Sequence, residues 1–216
     1  MATKQKLYPA RLDIDYPATL NRLTTFFRLL WAIPIVVILA ILTATTSNEQ
    51  FNDVRNSAMD NSGSVGIVGG LFVATALMIL FRRHYPRWWF DFALELTRFS
   101  QRVSAYLFLL TDKYPSTTEK QSVHLELDYP DVKNNLKDWM PLVKWLLAVP
   151  HYVVLLVLYF IAIFVVIIAW FAILFTGRYP KDLFDYVVGL ERWSLRVNAY
   201  AFLLITDEYP PFSLKK

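Results

Sequence analysis

Three long apolar stretches constrain the fold of this chain more than any other feature of its sequence. Residues 26–46 carry one charged residue, Arg28, residues 64–81 carry none, and residues 142–176 carry one, Lys144. A helix needs about 20 apolar residues to cross a membrane, so the first two stretches predict one span each. Nearly charge-free stretches of this length are unusual in the core of a protein of 216 residues. The sequence therefore predicts an integral membrane protein that is mainly α-helical.

The third apolar stretch is longer than a single span requires. As one helix it would extend over about 50 Å, whereas the hydrocarbon core of a bilayer is about 30 Å thick. Two interpretations are open: one long tilted helix, or two short helices joined by a tight turn near residues 158–163. No Gly, Pro or Asn marks such a turn, so the local signals do not decide between them.

The distribution of basic residues favours the hairpin. Lys and Arg concentrate on the cytoplasmic side of membrane proteins, and the polar loop at residues 47–63 holds only one of them, Arg55. With a hairpin in the third stretch, that loop alone lies outside the cell. With one long helix, the basic C-terminal tail would move outside as well. The favoured prediction is therefore four transmembrane helices arranged as two hairpins, with both termini cytoplasmic.

The chain also repeats itself, which predicts two copies of one structural unit. We predict a first membrane repeat at residues 7–115 and a second at residues 122–211, related by an internal pseudo-two-fold. The first copy has two apolar stretches, so the repeat also favours two spans in the second copy. The matching segments are RLDIDYP (11–17) with HLELDYP (124–130), FRLLWAIP (27–34) with VKWLLAVP (143–150), and residues 81–115 with residues 175–210.

Each copy begins with a short alternating segment. In the first copy, Leu12 and Ile14 alternate with Arg11, Asp13 and Asp15, which is the pattern of a strand with one buried face. A Tyr-Pro dipeptide follows in both copies, and proline ends the strand because it donates no ladder hydrogen bond. The sequence therefore predicts short cytoplasmic β segments.

Each copy ends with an amphipathic helix. Its charged residues recur at i, i+4, i+7 and i+11 and so share one helical face, while aromatic residues cover much of the remaining surface. A basic helix with an aromatic face suits the membrane interface, where Arg reaches lipid phosphates. The alternative is that these charges form ion pairs within or between the repeats. The residues concerned are Asp91, Glu95, Arg98 and Arg102 in the first copy, and Asp185, Arg192 and Arg196 in the second.

One long segment of the second copy carries a family resemblance. FTGRYPKDLFDYVVGLERWSLRVNAYAFLLITDEYPPF, together with LAVPH and the IAWFAILF run before it, resembles the bacterial family catalogued as domain of unknown function 4389. Both copies follow the pattern, the second more closely, so the resemblance implies two tandem copies. It implies a protein of the bacterial inner membrane with paired spans and cytoplasmic amphipathic segments, and it implies no activity. The first copy departs from the pattern by its polar loop at residues 47–63.

The residue types that carry catalysis or bind cofactors are sparse. The chain has no cysteine, and its histidines, His84, His124 and His151, lie far apart in the sequence. None has a second His, Asp or Glu at metal-ligand spacing, and no motif of a catalytic serine or carboxylate pair is present. We therefore expect no catalytic residue, no cofactor and no metal, and hence no enzyme.

Two basic residues and three glycines complete the set of candidates. Arg28 and Lys144 lie near the start of their apolar stretches, where such side chains commonly snorkel to lipid phosphates, and they are candidates for headgroup or ion-pair contacts. Gly66, Gly69 and Gly70 lie close together in the second stretch, and small residues at this spacing allow helices to approach closely. They are candidates for helix packing, either within the chain or against a partner.

These observations favour a non-catalytic membrane protein. Coupled transporters usually carry a charge in the centre of a span, and no predicted span has one, which disfavours a small channel or transporter. The favoured function is an accessory or scaffold subunit of a larger membrane complex, and the alternative is a lipid-binding or membrane-shaping protein. The expected partners are membrane lipids, anionic ones included, and protein subunits of a complex or further copies of this chain, without nucleic acid. The expected location is the bacterial inner (cytoplasmic) membrane, in a multi-pass arrangement.

Overall fold

The fold was determined from a computed structural model of the chain, which describes residues 8–43, 67–117, 119, 121–132, 136–137 and 139–215. Over these residues the chain is mainly helical, as predicted, with two short strands. In chain order the elements are β1 (Ala10–Ile14), α1 (Arg22–Phe26), α2 (Arg28–Thr43), α3 (Ile67–Arg82), α4 (Arg87–Leu107), β2 (Val123–Leu127), α5 (Pro141–Leu147), α6 (Val149–Thr176) and α7 (Lys181–Ala201).

The two predicted strands are confirmed, and they pair with each other. β1 and β2 are antiparallel, with Leu12 opposite Leu125 and Arg11 opposite Glu126. Leu12 and Leu125 are both buried, whereas the Arg11 guanidinium and the Glu126 carboxylate form an ion pair at 3.2 Å on the other face. The sheet therefore has one face in the core and one charged face directed to water.

The two predicted amphipathic helices, α4 and α7, lie directly under the sheet. Each starts immediately after a Tyr-Pro dipeptide, whose proline, Pro86 or Pro180, is extended and caps the helix start. α7 packs against β1 and α4 packs against β2, so each helix supports the strand of the other half of the chain. On their far side, α4 contacts α2 and α7 contacts α6. The order of layers is therefore charged sheet, amphipathic helices, apolar helices.

Most of the third apolar stretch, residues 149–176, forms one continuous helix, α6, so the hairpin predicted near residues 158–163 is wrong. Pro150 lies in the first turn of α6, where a proline is tolerated, and no residue that breaks helices follows until the C-terminus. There Gly177 adopts a left-handed conformation (φ 73°) and donates its N–H to the carbonyl of Ile173, which ends the helix. Because the helix is not interrupted, the backbone groups in its interior bond to each other along its whole length.

The residues that the structure describes therefore do not support the predicted four transmembrane helices. Within the described residues, α6 alone is long and apolar enough to cross a membrane, and the apolar parts of α2 and α3 are shorter. α6 buries only one narrow stripe, and its other side chains are largely exposed apolar groups. The stripe consists of His151, Leu155, Ala162, Ala169 and Ile173, which recur at helical spacing.

The C-terminal tail packs over α7 at a position that requires glycine. A Cβ added at Gly189 would lie 2.8 Å from the carbonyl oxygen of Leu214, closer than packed atoms approach, whereas one at Gly70 of α3 would meet no described atom within 4 Å. We expect Gly189→Ala to lower the thermal midpoint in mild detergent, because overpacking costs about 1–3 kcal/mol. Gly70→Ala is the matched control and should raise the midpoint, since Ala favours a helix by about 1 kcal/mol. An equal rise in both variants would contradict this packing.

Candidate functional site

The first polar site surrounds Arg28, at the start of α2. Its side chain is 2% exposed, and its guanidinium forms an ion pair with Asp112 and donates a hydrogen bond of 3.0 Å to the carbonyl oxygen of Tyr106. The guanidinium carbon lies 4.6 Å from the centre of the Tyr106 ring, within the range of a cation–π contact. Asp112 also accepts the backbone N–H of Asn21 at 2.6 Å. The site therefore fastens the start of α2 to the end of α4.

The second polar site surrounds Lys144 of α5 and has the same composition. Lys144 is fully buried, and its ammonium group lies 2.7 Å from the carboxylate of Asp207 and 2.7 Å from the carbonyl oxygen of Thr206. The ring centre of Tyr200 is 5.4 Å away. Asp207 also accepts the backbone N–H of Lys137 at 2.8 Å. This site fastens α5, just before α6, to the segment after α7.

Contact of Arg28 and Lys144 with lipid headgroups stays a prediction. Each is paired with a carboxylate of the same chain, in agreement with the ion-pair alternative. The aspartates were not among the predicted site residues, although the sequence contains the signal. Thr111-Asp112 and Thr206-Asp207 occupy matching places when residues 81–115 are aligned with residues 175–210.

The arginines of the amphipathic helices contact the protein backbone. Arg192 donates to the carbonyl of Leu12 at 2.8 Å and pairs with Asp13 at 2.7 Å. Arg98 donates to the carbonyl of Leu125 at 3.3 Å and also pairs with Glu95 on its own helix. Both arginines therefore join an amphipathic helix to a strand.

The four remaining predicted residues of these helices fall into two groups. Arg102 donates to the carbonyl of Ser116, and Arg196 to that of Lys215, so both hold the segments that follow their helices. Asp91 and Asp185 are exposed.

The structure describes only two of the three glycines that were predicted to pack helices together. Gly69 and Gly70 lie in α3 and are half-buried, whereas Gly66 lies outside the described residues. Whether they pack against a partner stays a prediction.

A buried carboxyl group on α7 was not predicted. Glu191 is 2% exposed and accepts a hydrogen bond of 3.1 Å from the hydroxyl of Tyr159 on α6. Burial raises the pKa of Glu191 to about 7, although hydrogen bonds from Tyr159 and Gln101 oppose this shift. Thr97 is the residue aligned with Glu191 when residues 81–115 are matched with residues 175–210, so the sequence alignment does not indicate a carboxyl group at this position. The group lies between three helices and joins α7 to α6.

His151 forms an aromatic cluster at the start of α6. It is fully buried, and its Nδ1 accepts the indole N–H of Trp193 at 3.1 Å. Its ring stacks on Phe212 with centroids 3.9 Å apart and lies 4.8 Å from the ring of Tyr209. The cluster therefore holds the C-terminal tail against α6 and α7. No group of three or more potential metal ligands occurs in the part of the chain that the structure describes.

A small cavity of about 160 Å³ lies between α3, α4 and α7. Its walls are mainly apolar, with the polar side chains of Ser100 and Asn198 among them. A cavity of about 150 Å³ accommodates a molecule of the size of benzene. The lining contains no ionisable group except the hydroxyl of Tyr85, so the cavity offers no acid–base pair for catalysis.

In comparisons with known proteins, one family model matches part of the chain. Residues 140–213 match the family model described as Domain of unknown function (DUF4389). The match covers the Lys144 site, α6, α7 and most of the tail, so the resemblance is confirmed for one copy, in the second half of the chain. No curated protein and no solved structure matches the chain.

Proposed function

We propose that this chain is a non-catalytic membrane protein that acts as an accessory or scaffold subunit of a larger membrane complex. The observation that carries the proposal is the exposed apolar face of α6. Leu156 is 73% exposed, Phe160 62% and Phe175 78%, over a helix of 28 residues. Soluble monomers rarely expose a continuous apolar surface of this extent, so lipid or a partner subunit must cover it.

The other apolar helices extend this surface. Leu29 and Trp31 of α2 are 80% and 59% exposed, and Val73 and Leu77 of α3 are 47% and 48% exposed. The charged face of the sheet lies on the opposite side of the amphipathic helices. This separation of charged and apolar surfaces supports a protein with one side in a membrane and one side in water.

The proposal includes the origin of the fold from two tandem copies of one unit. The equivalent surroundings of Arg28 and Lys144 support it, because each cation is buried, meets an aspartate after an amphipathic helix and lies over a tyrosine ring. We further propose a location in the bacterial inner membrane with both termini cytoplasmic. This arrangement is multi-pass and requires an even number of crossings.

Exposed aromatic residues support the alternative function, a lipid-binding or membrane-shaping protein. Trp88 is 68% exposed, Trp139 56% and Trp145 50%. Trp is enriched at the depth of the lipid headgroups, so these residues would place the amphipathic layer at the interface. The two functions differ in whether the apolar surface is covered by lipid alone or also by other proteins.

Membrane extraction and native mass spectrometry test the proposal. The full chain should sediment with the membrane fraction and resist extraction by alkaline carbonate. After gentle solubilisation, native mass spectrometry should show a defined, stoichiometric set of partner subunits. A lone chain or dimer that carries anionic lipid would contradict the subunit function and support the alternative. A chain that stays in the soluble fraction would contradict both.

A further inference from the structure

We propose that α6 lies in the plane of the membrane, with both ends at the same membrane face, and binds one leaflet along its exposed side. This inference rests on the proposed membrane association and specifies the surface that meets lipid. It follows from the fact that both ends of α6 and its middle are fastened to one folded layer.

The N-terminal end of α6 is fastened through His151. Its ring nitrogen accepts the indole N–H of Trp193 on α7 at 3.1 Å, and its ring stacks on Phe212 of the tail. The middle of α6 is fastened to the same helix: Tyr186 donates to the carbonyl of Leu158 at 2.9 Å, and Tyr159 donates to Glu191 at 3.1 Å. The first eleven residues of α6 thus lie along α7.

The C-terminal end of α6 is fastened to the same layer. The indole N–H of Trp170 donates to the carbonyl of Thr25 in α1 at 3.1 Å. Ala169 and Ile173 are fully buried and belong to the core cluster that contains the inner face of β1 and β2. Beyond the helix, the carbonyl of Gly177 accepts the N–H of Leu20 at 2.9 Å.

The layer that holds α6 cannot enter the hydrocarbon core. Charged residues at the centre of a bilayer are costly, and a sheet with a charged outer face belongs in water. If α6 crossed the membrane, its two ends would lie on opposite sides. Both ends contact the same folded layer, so part of that layer would have to lie on the far side as well. The charged residues of α7 are Lys181, Asp182, Asp185, Arg192 and Arg196, and the carboxylates exposed on the sheet are those of Asp13 and Glu126.

An in-plane helix also agrees with the distribution of charge. α6 is about 42 Å long. It is more apolar than an ordinary interfacial helix because its inner side packs against α7, and α7 carries the charged residues of the pair. Lys and Arg favour the cytoplasmic side, and an in-plane α6 keeps the basic C-terminal tail on that side without a hairpin. The occupant of the exposed face is therefore the acyl-chain region of a single leaflet.

Single-cysteine variants test this arrangement, because the natural chain has no cysteine. Leu146→Cys and Arg178→Cys place a thiol just outside each end of α6, and both parent residues are exposed. Glu126→Cys on the sheet marks the face on which the folded layer lies. An impermeant maleimide is applied to sealed vesicles of each orientation. Both end positions should react from the same side as Glu126→Cys.

Depth measurements give a second readout that does not depend on thiol access. A fluorophore attached at Leu156→Cys, Phe164→Cys or Phe171→Cys is quenched by lipids that carry spin labels at different depths. The three positions should lie at one shallow depth. A deeper position at Phe164, or labelling of the two ends from opposite faces, would overturn the in-plane helix while leaving membrane association intact. A chain absent from the membrane fraction would instead contradict the proposed function itself.

Discussion

Lys144→Met should destabilise the folded chain by about 3–5 kcal/mol, the range observed when one partner of a buried ion pair is removed. Lys144 is fully buried, and the side chain of Asp207 opposite is only 15% exposed. Methionine retains most of the apolar length of the side chain, so the loss comes from the charge and its hydrogen bond to the carbonyl of Thr206. The Asp207 carboxyl group would lose its cation in a site with little water, and this carries most of the cost.

A double variant separates this cost from simple loss of packing. Lys144→Met with Asp207→Asn removes both charges, and replacement of a whole buried pair is often close to neutral, so it should recover most of the stability. Lys181→Met is the matched control, because Lys181 is exposed at the start of α7; its change should be within about 0.5 kcal/mol. Denaturant unfolding in mild detergent, followed by tryptophan fluorescence, measures all three. Equal losses in the single and double variants would show that the ion pair is not the cause.

The local patterns of the sequence predicted the elements of this fold well. Alternation in RLDIDYP and HLELDYP identified both strands, and the spacing of Asp91, Arg98 and Arg102 identified α4. These predictions succeed because the hydrophobic period of a helix or strand, and the effect of a proline at its end, depend on residues that are close together in the chain. The pairing of β1 with β2 joins segments more than 100 residues apart, and no local signal specifies it.

The hairpin prediction failed because it assumed that every apolar segment crosses the membrane. Under that assumption, the basic C-terminal tail requires an even number of crossings. The structure has one continuous helix whose polar contacts are supplied by another helix, and hydropathy along a single segment does not show that partner. His151 and Tyr159 are the polar residues that reveal it, and their partners, Trp193 and Glu191, follow more than 30 residues later.

The candidate polar sites were predicted only in part, for a related reason. Arg28 and Lys144 were visible as isolated charges in apolar stretches, whereas their acceptors, Asp112 and Asp207, lie more than 60 residues away. Glu191 had neither a local signal nor a counterpart in the first copy. Its burial depends on the packing of α7 between the sheet and α6, which only the tertiary structure shows.

The contribution of Glu191 to the stability of the natural chain should therefore fall as pH rises from about 4.5 to about 7, and Glu191→Gln should abolish this decrease. The carboxyl group has an unfolded pKa of 4.5 and a pKa of about 7 in the folded chain. Below pH 4.5 the group is protonated in both states, and its contribution to stability is complete. Between the two values only the folded state keeps the proton, so each rise in pH favours unfolding. Above pH 7 the group is ionised in both states, and no further loss occurs.

The size of the effect follows from the difference between the two pKa values. A shift of one pKa unit corresponds to about 1.4 kcal/mol, so the loss across this window is about 3 kcal/mol. Glutamine has the same shape and stays neutral, so the variant should match the natural chain at pH 4.5 and exceed its free energy of unfolding by about 3 kcal/mol at pH 8.

Asp185→Asn is the matched control, since Asp185 is an exposed carboxylate on the same helix. The stability of this variant relative to the natural chain should not change across the window. Parallel pH profiles for Glu191→Gln and the natural chain would show that Glu191 is ionised, and hydrated, at neutral pH. The comparison is made by denaturant unfolding in one detergent at each pH, because other carboxylates and histidines titrate equally in both chains and cancel in the difference.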